Sequence, residues 1–361
     1  MTRGFAYIAP VAIPPGRTLL EVLQNKEMTQ EELSKRINCS HKHVNQIVNG
    51  KAAISSEIAN RLGYALGIPA SFWINLEAKY QDTKARLADQ EQMAKETRLV
   101  ENFRYNEASR RGWVKTTRSR IEKVAELRRF LGVSSLSRID NIYAVSFRVS
   151  NCRSFSPEAL TMWLRQGEIA SREIRTADYD EKMLREKLRD LRQLSLSSDS
   201  SSIEAAKRIL AECGIALIIV EHLTGSNAVG AAMKVRSDKY VVEMSFRGKY
   251  ADIFWFSLFH EIGHILHKHV KDNWSIDFDI QTKCLNLDQA QEDEANAFAR
   301  QVLIDDERYR EFTKSNDFSE QNVRRFAEAI EIHPGVVVGR LCSDKFIPYS
   351  ALQHLRSHIT H

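Results

Sequence analysis

From Phe254 to Leu266 the chain reads FWFSLFHEIGHIL, which as a helix is apolar around nearly its whole circumference. A helix without a polar face has to be enclosed on every side. Such a segment therefore demands a domain with other layers packed around it. Within it stand His260, Glu261 and His264, side chains that are costly to bury unless something satisfies them. A metal ion would do so. At 3.6 residues per turn, His260 and His264 project from one face about a turn apart, where two imidazoles can share one divalent cation. Glu261 lies beside them, suited to act as a base that does not ligate.

A third ligand is what separates a working site from a chance HExxH. Downstream, Glu292-Asp293-Glu294-Ala295-Asn296 opens a helical pattern whose Ala295, Phe298, Ala299 and Val302 would pack inward. That phase brings Glu292 and Asn296 to the same side. Glu292 can ligate, and Asn296 can hydrogen-bond a ligating histidine from behind. Glu294 is the competing ligand, turned away by its helical phase. His267 reads as a helix-end residue and His269 as solvated. The donor for a tetrahedral oxyanion stays open among His222, Tyr349 and Arg340.

The N-terminal text carries a different pattern. Thr29-Gln30-Glu31-Glu32 starts a helix with a capping box, in which Glu32 reaches back. After the break Asn38-Cys39-Ser40, Ser40 can cap a second helix. Val44, Ile47 and Val48 turn inward there, leaving His41, Lys42, His43, Asn45 and Gln46 outward. A recognition helix is built this way, with one face docked and its first turn offered to the major groove. Asn49-Gly50 gives a left-handed cap, and Lys51 places a cation for phosphate.

Between these regions, residues 81–130 hold 13 Lys/Arg against 8 Asp/Glu and read as a connecting helix pair. Strands are expected at Ile142–Val149, Ile215–Glu221, Gly230–Val235 and Tyr240–Phe246. Helices are expected from Pro157, from Asp180, over Ile203–Cys213, over Tyr250–His269 and over Gln289–Leu303. If either strand upstream of the HExxH helix forms a sheet edge, an extended peptide could pair with it. Phe326–Leu341 echoes the helix–turn–helix rhythm of Leu33–Val48. Its Val336, Val337 and Val338 replace the polar outward face, which marks it as packing. Five scattered cysteines without a CxxC pair suit a reducing compartment.

Two resemblances sharpen these readings. Pro15-Gly16-Arg17-Thr18-Leu19, MTQEELSKRI, NQIVNGK, ALGIPASFW and Asn75-Leu76 together resemble the HigA-type antitoxin and repressor group over residues 14–80. That resemblance implies a cytoplasmic, dimeric repressor of a palindromic operator. In its pattern Gln30 would touch the phosphate backbone, and Lys42, His43, Asn45 and Gln46 would lie nearest the bases. FHEIGHILHKH followed by EDEANAFARQVLI resembles the ImmA/IrrE metallopeptidases, over Ile142 to Leu355. It implies one zinc ion per chain and, in some members, cleavage of a repressor protein.

The expected fold is mainly α and multi-domain. Residues 1–80 form a lambda-repressor-like helix–turn–helix bundle and 81–140 a basic helical connector. Residues 141–361 form an α+β, zincin-like metallopeptidase domain with a small sheet. The expected DNA-facing set is Gln30, Ser40, Lys42, His43, Asn45, Gln46 and Lys51. The expected metal set is His260, His264 and Glu292, with Glu261 catalytic and Asn296 behind a ligating histidine. Two functions stay open. One is a repressor or antitoxin that also cleaves a regulatory protein. The other is a non-catalytic antitoxin or sensor whose C-terminal domain grips a partner such as a toxin. Operator DNA and a second copy of the chain are the expected partners, and no membrane is involved.

Overall fold

The computed structural model describes residues 11–141, 155–197, 199–247, 249–270, 275–278 and 289–359. The chain divides into two compact units, Met1–Thr97 and Arg98–His361. The strand expected at Ile142–Val149 lies outside the described residues.

The first unit is helical: α1 (Pro15–Asn25), α2 (Gln30–Arg36), α3 (His41–Val48), α4 (Ser56–Leu66) and α5 (Ala70–Glu96). The helix starts are fixed by local chemistry. The side chains of Thr29, Ser40 and Ser55 each accept the amide N–H three residues on, satisfying a donor left over by the helix. The return half of the capping box is not made. The Glu32 carboxylate pairs instead with Arg36 at 2.7 Å, one turn ahead, where a charged partner outcompetes a neutral amide. Leu33, Ile37, Val44, Ile47, Leu62 and Trp73 close the core. Gly16 lets α1 lie against the end of α3, since a Cβ there would come 2.0 Å from the Ile47 carbonyl oxygen.

The basic stretch, residues 81–130, belongs partly to each unit and is broken into more pieces than the expected pair. It holds the end of α5, then α6 (Tyr105–Arg110) and α7 (Arg120–Leu131). Next come α8 (Pro157–Ser171), α9 (Glu181–Leu194) and α10 (Ser200–Glu212), capped by Ser156, Asp180 and Asp199. The sheet contains β1 (Ile215–Ile219), β2 (Ala228–Arg236), β3 (Lys239–Met244) and β4 (Ser275–Phe278), in the order β1-β3-β2-β4. β1 runs parallel to β3, while β2 is antiparallel to both β3 and β4. The remaining elements are α11 (Ala251–Leu266), α12 (Gln289–Leu303), α13 (Asp306–Lys314), α14 (Glu320–Ala329) and α15 (Pro334–Ser343).

β4 falls between the helices expected at Tyr250–His269 and Gln289–Leu303, where the sequence suggests no strand. Its presence overturns the expectation that β2 or β3 offers an edge to a peptide. Both are interior strands, and β1 and β4 stand at the margins. The echo region forms α14 and α15, and Val336, Val337 and Val338 are buried as packing residues.

The two faces of the sheet follow the two-residue strand period. Val242 and Met244 join α9, α10 and α11 in the larger core, whereas Val241 and its neighbours pack on Leu160, Trp163 and Leu164 of α8. Of the sixteen residues of α11, only Ile253 and Phe256 are not buried. Fully enclosed Leu258 and Ile262 each contribute about 1.5–3 kcal/mol by leaving water.

Glu243 breaks the apolar pattern. It lies on the α8 side of β3 with no exposure, and neither carboxyl oxygen has a hydrogen-bond partner among the described residues. Gly167 of α8 makes room for it, because a Cβ there would come 1.9 Å from Oε2. Burial pushes its pKa well above the ordinary 4.5, so the folded chain holds a proton that the unfolded chain releases. Stability is therefore full below the ordinary value and declines as pH rises toward the folded value. Relative to Glu243→Gln, the native chain should lose up to about 1.4 kcal/mol per pH unit above that point. Urea unfolding of both proteins from pH 4.5 to 8 measures it, and parallel curves would contradict it.

Candidate metal centre and nucleic-acid interface

α11 carries His260 and His264 to the same side, each 1% exposed, with Glu261 fully buried beside them. α12 lies against this helix because Gly263, between the two histidines, offers no side chain. A Cβ there would come 3.2 Å from the Ala295 Cα and 3.0 Å from the Phe298 ring. The close approach brings the Glu292 carboxylate to both rings, 3.3 Å from His260 Nε2 and 3.4 Å from His264 Nε2. The two Nε2 atoms stand 2.9 Å apart. Donors held 2.0–2.1 Å from one tetrahedral ion would be separated by roughly 3.3 Å. The three residues fit a zinc ion in spacing and in chemistry.

The rings are oriented from behind. Asn296 Oδ1 lies 3.1 Å from His260 Nδ1, so an Nδ1–H donated there leaves Nε2 as the ligand atom. His264 is oriented by a residue that the sequence reading placed in solvent. His269 is 8% exposed, and its Nδ1 lies 3.0 Å from His264 Nδ1. Its Nε2 meets Glu294 Oε2 at 3.0 Å. With Glu294 accepting Nε2–H of His269, the Nδ1 of His269 accepts from His264, and His264 Nε2 is again left free to act as a ligand atom. Sequence reasoning missed this because His269 follows the helix end. Lys268, in the left-handed region at φ 60°, folds it back so that its amide donates to the His264 carbonyl at 2.9 Å.

Burial, followed by His260, His269 and His267, pushes the His264 pKa down to about 3. A neutral imidazole is the form that binds metal. Glu261 sits under Gly230 of β2, where a Cβ would come 3.1 Å from its Cγ and Oε1. Glu294 is 61% exposed and turned from the centre, as its helical phase predicted. His267, the residue that ends α11, is exposed.

A cavity of about 570 Å³ opens onto His260, Glu292 and Asn296. Ile253 and Phe256, the two less buried positions of α11, form part of its wall. Of the three oxyanion candidates, Arg340 and Tyr349 line this cavity, and His222 does not.

In the first unit, α3 buries Val44 and Ile47. Ser40, Lys42, Asn45 and Lys51 are exposed, and Gln30, His43 and Gln46 are half-buried. Gln30 and Asn45 are joined at 3.3 Å, tying the start of α2 to the middle of α3. Gly50, at φ 68°, turns the chain so that Lys51 and Ala52 donate to the Gln46 carbonyl.

Residues 19–73 match the family model described as helix-turn-helix, and residues 252–341 match the IrrE N-terminal-like domain. The chain joins these two domains. Both parts of the resemblance read from the residues are thereby borne out.

Among solved structures, it is similar to an addiction module antidote protein of a HigA family from Coxiella burnetii. The identity is 29%, over 24% of this chain and 94% of that one, with a TM-score of 0.22. The antitoxin HigA of Pseudomonas aeruginosa, solved with the higBA promoter, is 32% identical over 23% of this chain and 90% of its own, with a TM-score of 0.22. A further Pseudomonas aeruginosa protein, in complex with its operator DNA, is 32% identical over 22% of this chain and 87% of its own, with a TM-score of 0.22. No curated protein matches the chain significantly. Among the described residues, no helix is long and apolar enough to cross a membrane.

Proposed function

We propose that the chain is a DNA-binding regulator whose second domain is a zinc peptidase acting on a regulatory protein. The observation that carries the catalytic part is the convergence of His260, His264 and Glu292 within 4.8 Å, with buried Glu261 alongside. A closed structural zinc site has four protein ligands and no use for a spare acid. Here three donors converge among the described residues, and the cavity reaches two of them, His260 and Glu292.

The two imidazoles and Glu292 would hold the ion, while Asn296 and His269 fix the ring tautomers. Bound there, zinc would supply Lewis acidity and make water nucleophilic near neutral pH. Glu261 is placed to take the proton of the attacking water and return it to the departing amine. Ile253 and Phe256 give the cavity part of its apolar wall.

For the first domain, the reading is a pair of copies addressing two half-sites, with α3 in the major groove. Lys42, His43, Asn45 and Gln46 would face the bases. Gln30, Ser40 and Lys51 would face the phosphates.

Two measurements test the reading. Elemental analysis of the purified chain should give one zinc per chain. Glu292→Ala should weaken zinc binding by more than about 100-fold, since losses behind the ligands alone cost 10–100-fold. An unchanged zinc content in that variant would refute the ligand set. Joint replacement of Lys42 and Gln46 by Ala should lower affinity for DNA selected by the native chain by about tenfold or more, at a base contact's 1–3 kcal/mol. Undiminished retardation at moderate salt would move the reading surface away from α3.

A further inference from the structure

We infer that the cavity selects a peptide by its negative charge: apolar residues beside the scissile bond, and an Asp or Glu side chain three to four residues from it, bound by Arg300. This rests on the peptidase reading above and assigns its substrate class.

α12 places Glu292, Asn296 and Arg300 at four-residue intervals, and all three line the cavity. Eight residues of helix advance about 12 Å along the axis. An extended peptide covers that distance in three to four residues at roughly 3.3 Å each. The wall between is apolar, made by Val229, Ile253, Phe256, Leu303, Ile304 and Val336.

The charges that line the cavity do not balance. Arg356 is held by Asp252 at 2.8 Å, and Arg340 by Asp344 at 2.7 Å and Asp306 at 3.3 Å. Glu292 faces the two histidines. Arg247, Arg300 and Lys345 also line the cavity, and of these Arg300 and Lys345 form no ion pair with an acid among the described residues. Arg300 is half-buried, so water screens it less than a surface cation. A carboxylate brought to it would complete a planar, two-pronged hydrogen-bonding pair. A nucleic acid strand suits the cation but not the apolar wall between it and the metal centre. The peptide satisfies both.

Two readouts test this on the full zinc-loaded chain. Cleavage of a randomised peptide mixture, read by mass spectrometry, should favour Asp or Glu over Asn or Gln at the third or fourth residue from the cut. The preference should reach about tenfold, be lost in Arg300→Gln and be reversed toward Lys in Arg300→Glu. Zinc content should be unchanged in both variants. Binding of fluorescent acidic and amidated peptides to the Glu261→Gln chain should show the same order without turnover. Cleavage with no acidic preference, or a preference that survives Arg300→Glu, would overturn the inference and leave the peptidase reading standing. If the native chain cuts nothing, that reading fails. The binding series then decides the inference by itself. Displacement of bound acidic peptide by a single-stranded oligonucleotide, with no preference among peptides, would also overturn it.

Discussion

Glu261→Gln should retain one zinc per chain and lower peptide hydrolysis by about 10²–10⁴-fold, the usual worth of a positioned general base. Gln preserves the shape and the packing under Gly230, so the metal centre should be undisturbed. Only the capacity to accept a proton is lost. His260, His264 and Glu292 hold their positions through Asn296, His269 and the α11–α12 contact, none of which involves Glu261. The measurements are turnover of a cleavable peptide and metal content, made on the same preparation. Equal hydrolysis by both proteins would remove Glu261 from the chemistry. Full zinc occupancy with no hydrolysis by the native chain would favour a domain that grips a partner without cutting it.

Arg356→Met should destabilise the second unit by about 3–5 kcal/mol, because it leaves a carboxylate buried without its counter-ion. Asp252 and Arg356 have side chains only 6% exposed and meet through three hydrogen bonds, the shortest 2.8 Å. The Arg356 guanidinium also lies 4.1 Å from the Tyr250 ring centroid. Asp252 belongs to the first turn of α11, so this pair fastens the C-terminal residues to the helix that bears the metal site. Even with Arg356 present, burial holds the Asp252 pKa above its ordinary value. Without Arg356 it should rise further, so the destabilisation should be greatest at neutral pH and shrink in acid as Asp252 takes up a proton. Denaturant unfolding at pH 7 and at pH 4 measures this. A loss below about 1 kcal/mol at neutral pH, the scale of a surface pair, would show that the interaction is not a buried one. Asp252→Asn combined with Arg356→Met should recover part of the loss, since the uncompensated charge is then gone.

Much of the centre could be read in the chain because helices convert spacing into direction. A four-residue interval placed His260 and His264 together, and the phase of Ala295 and Ala299 correctly turned Glu292 inward and Glu294 outward. The recognition-helix pattern was legible for the same reason: buried Val44 and Ile47 leave Asn45 and Lys42 outside. Strand positions were found from apolar runs, but their neighbours were not. β2 and β3 looked like candidate edges until β1 and β4 were seen to flank them.

Residue order alone thus determined which side chains share a helix face, where helices begin, and that an apolar segment bearing two histidines must lie inside a layered domain. These are local consequences of backbone period and capping. Folding in three dimensions decided that Gly263 admits α12, that His269 returns beneath His264, that Glu243 is sealed against α8, and that Arg300 lines the same cavity as His260 and Glu292. Each of these depends on a distance between segments remote in the chain. Such distances are set by packing, which no short-range pattern encodes.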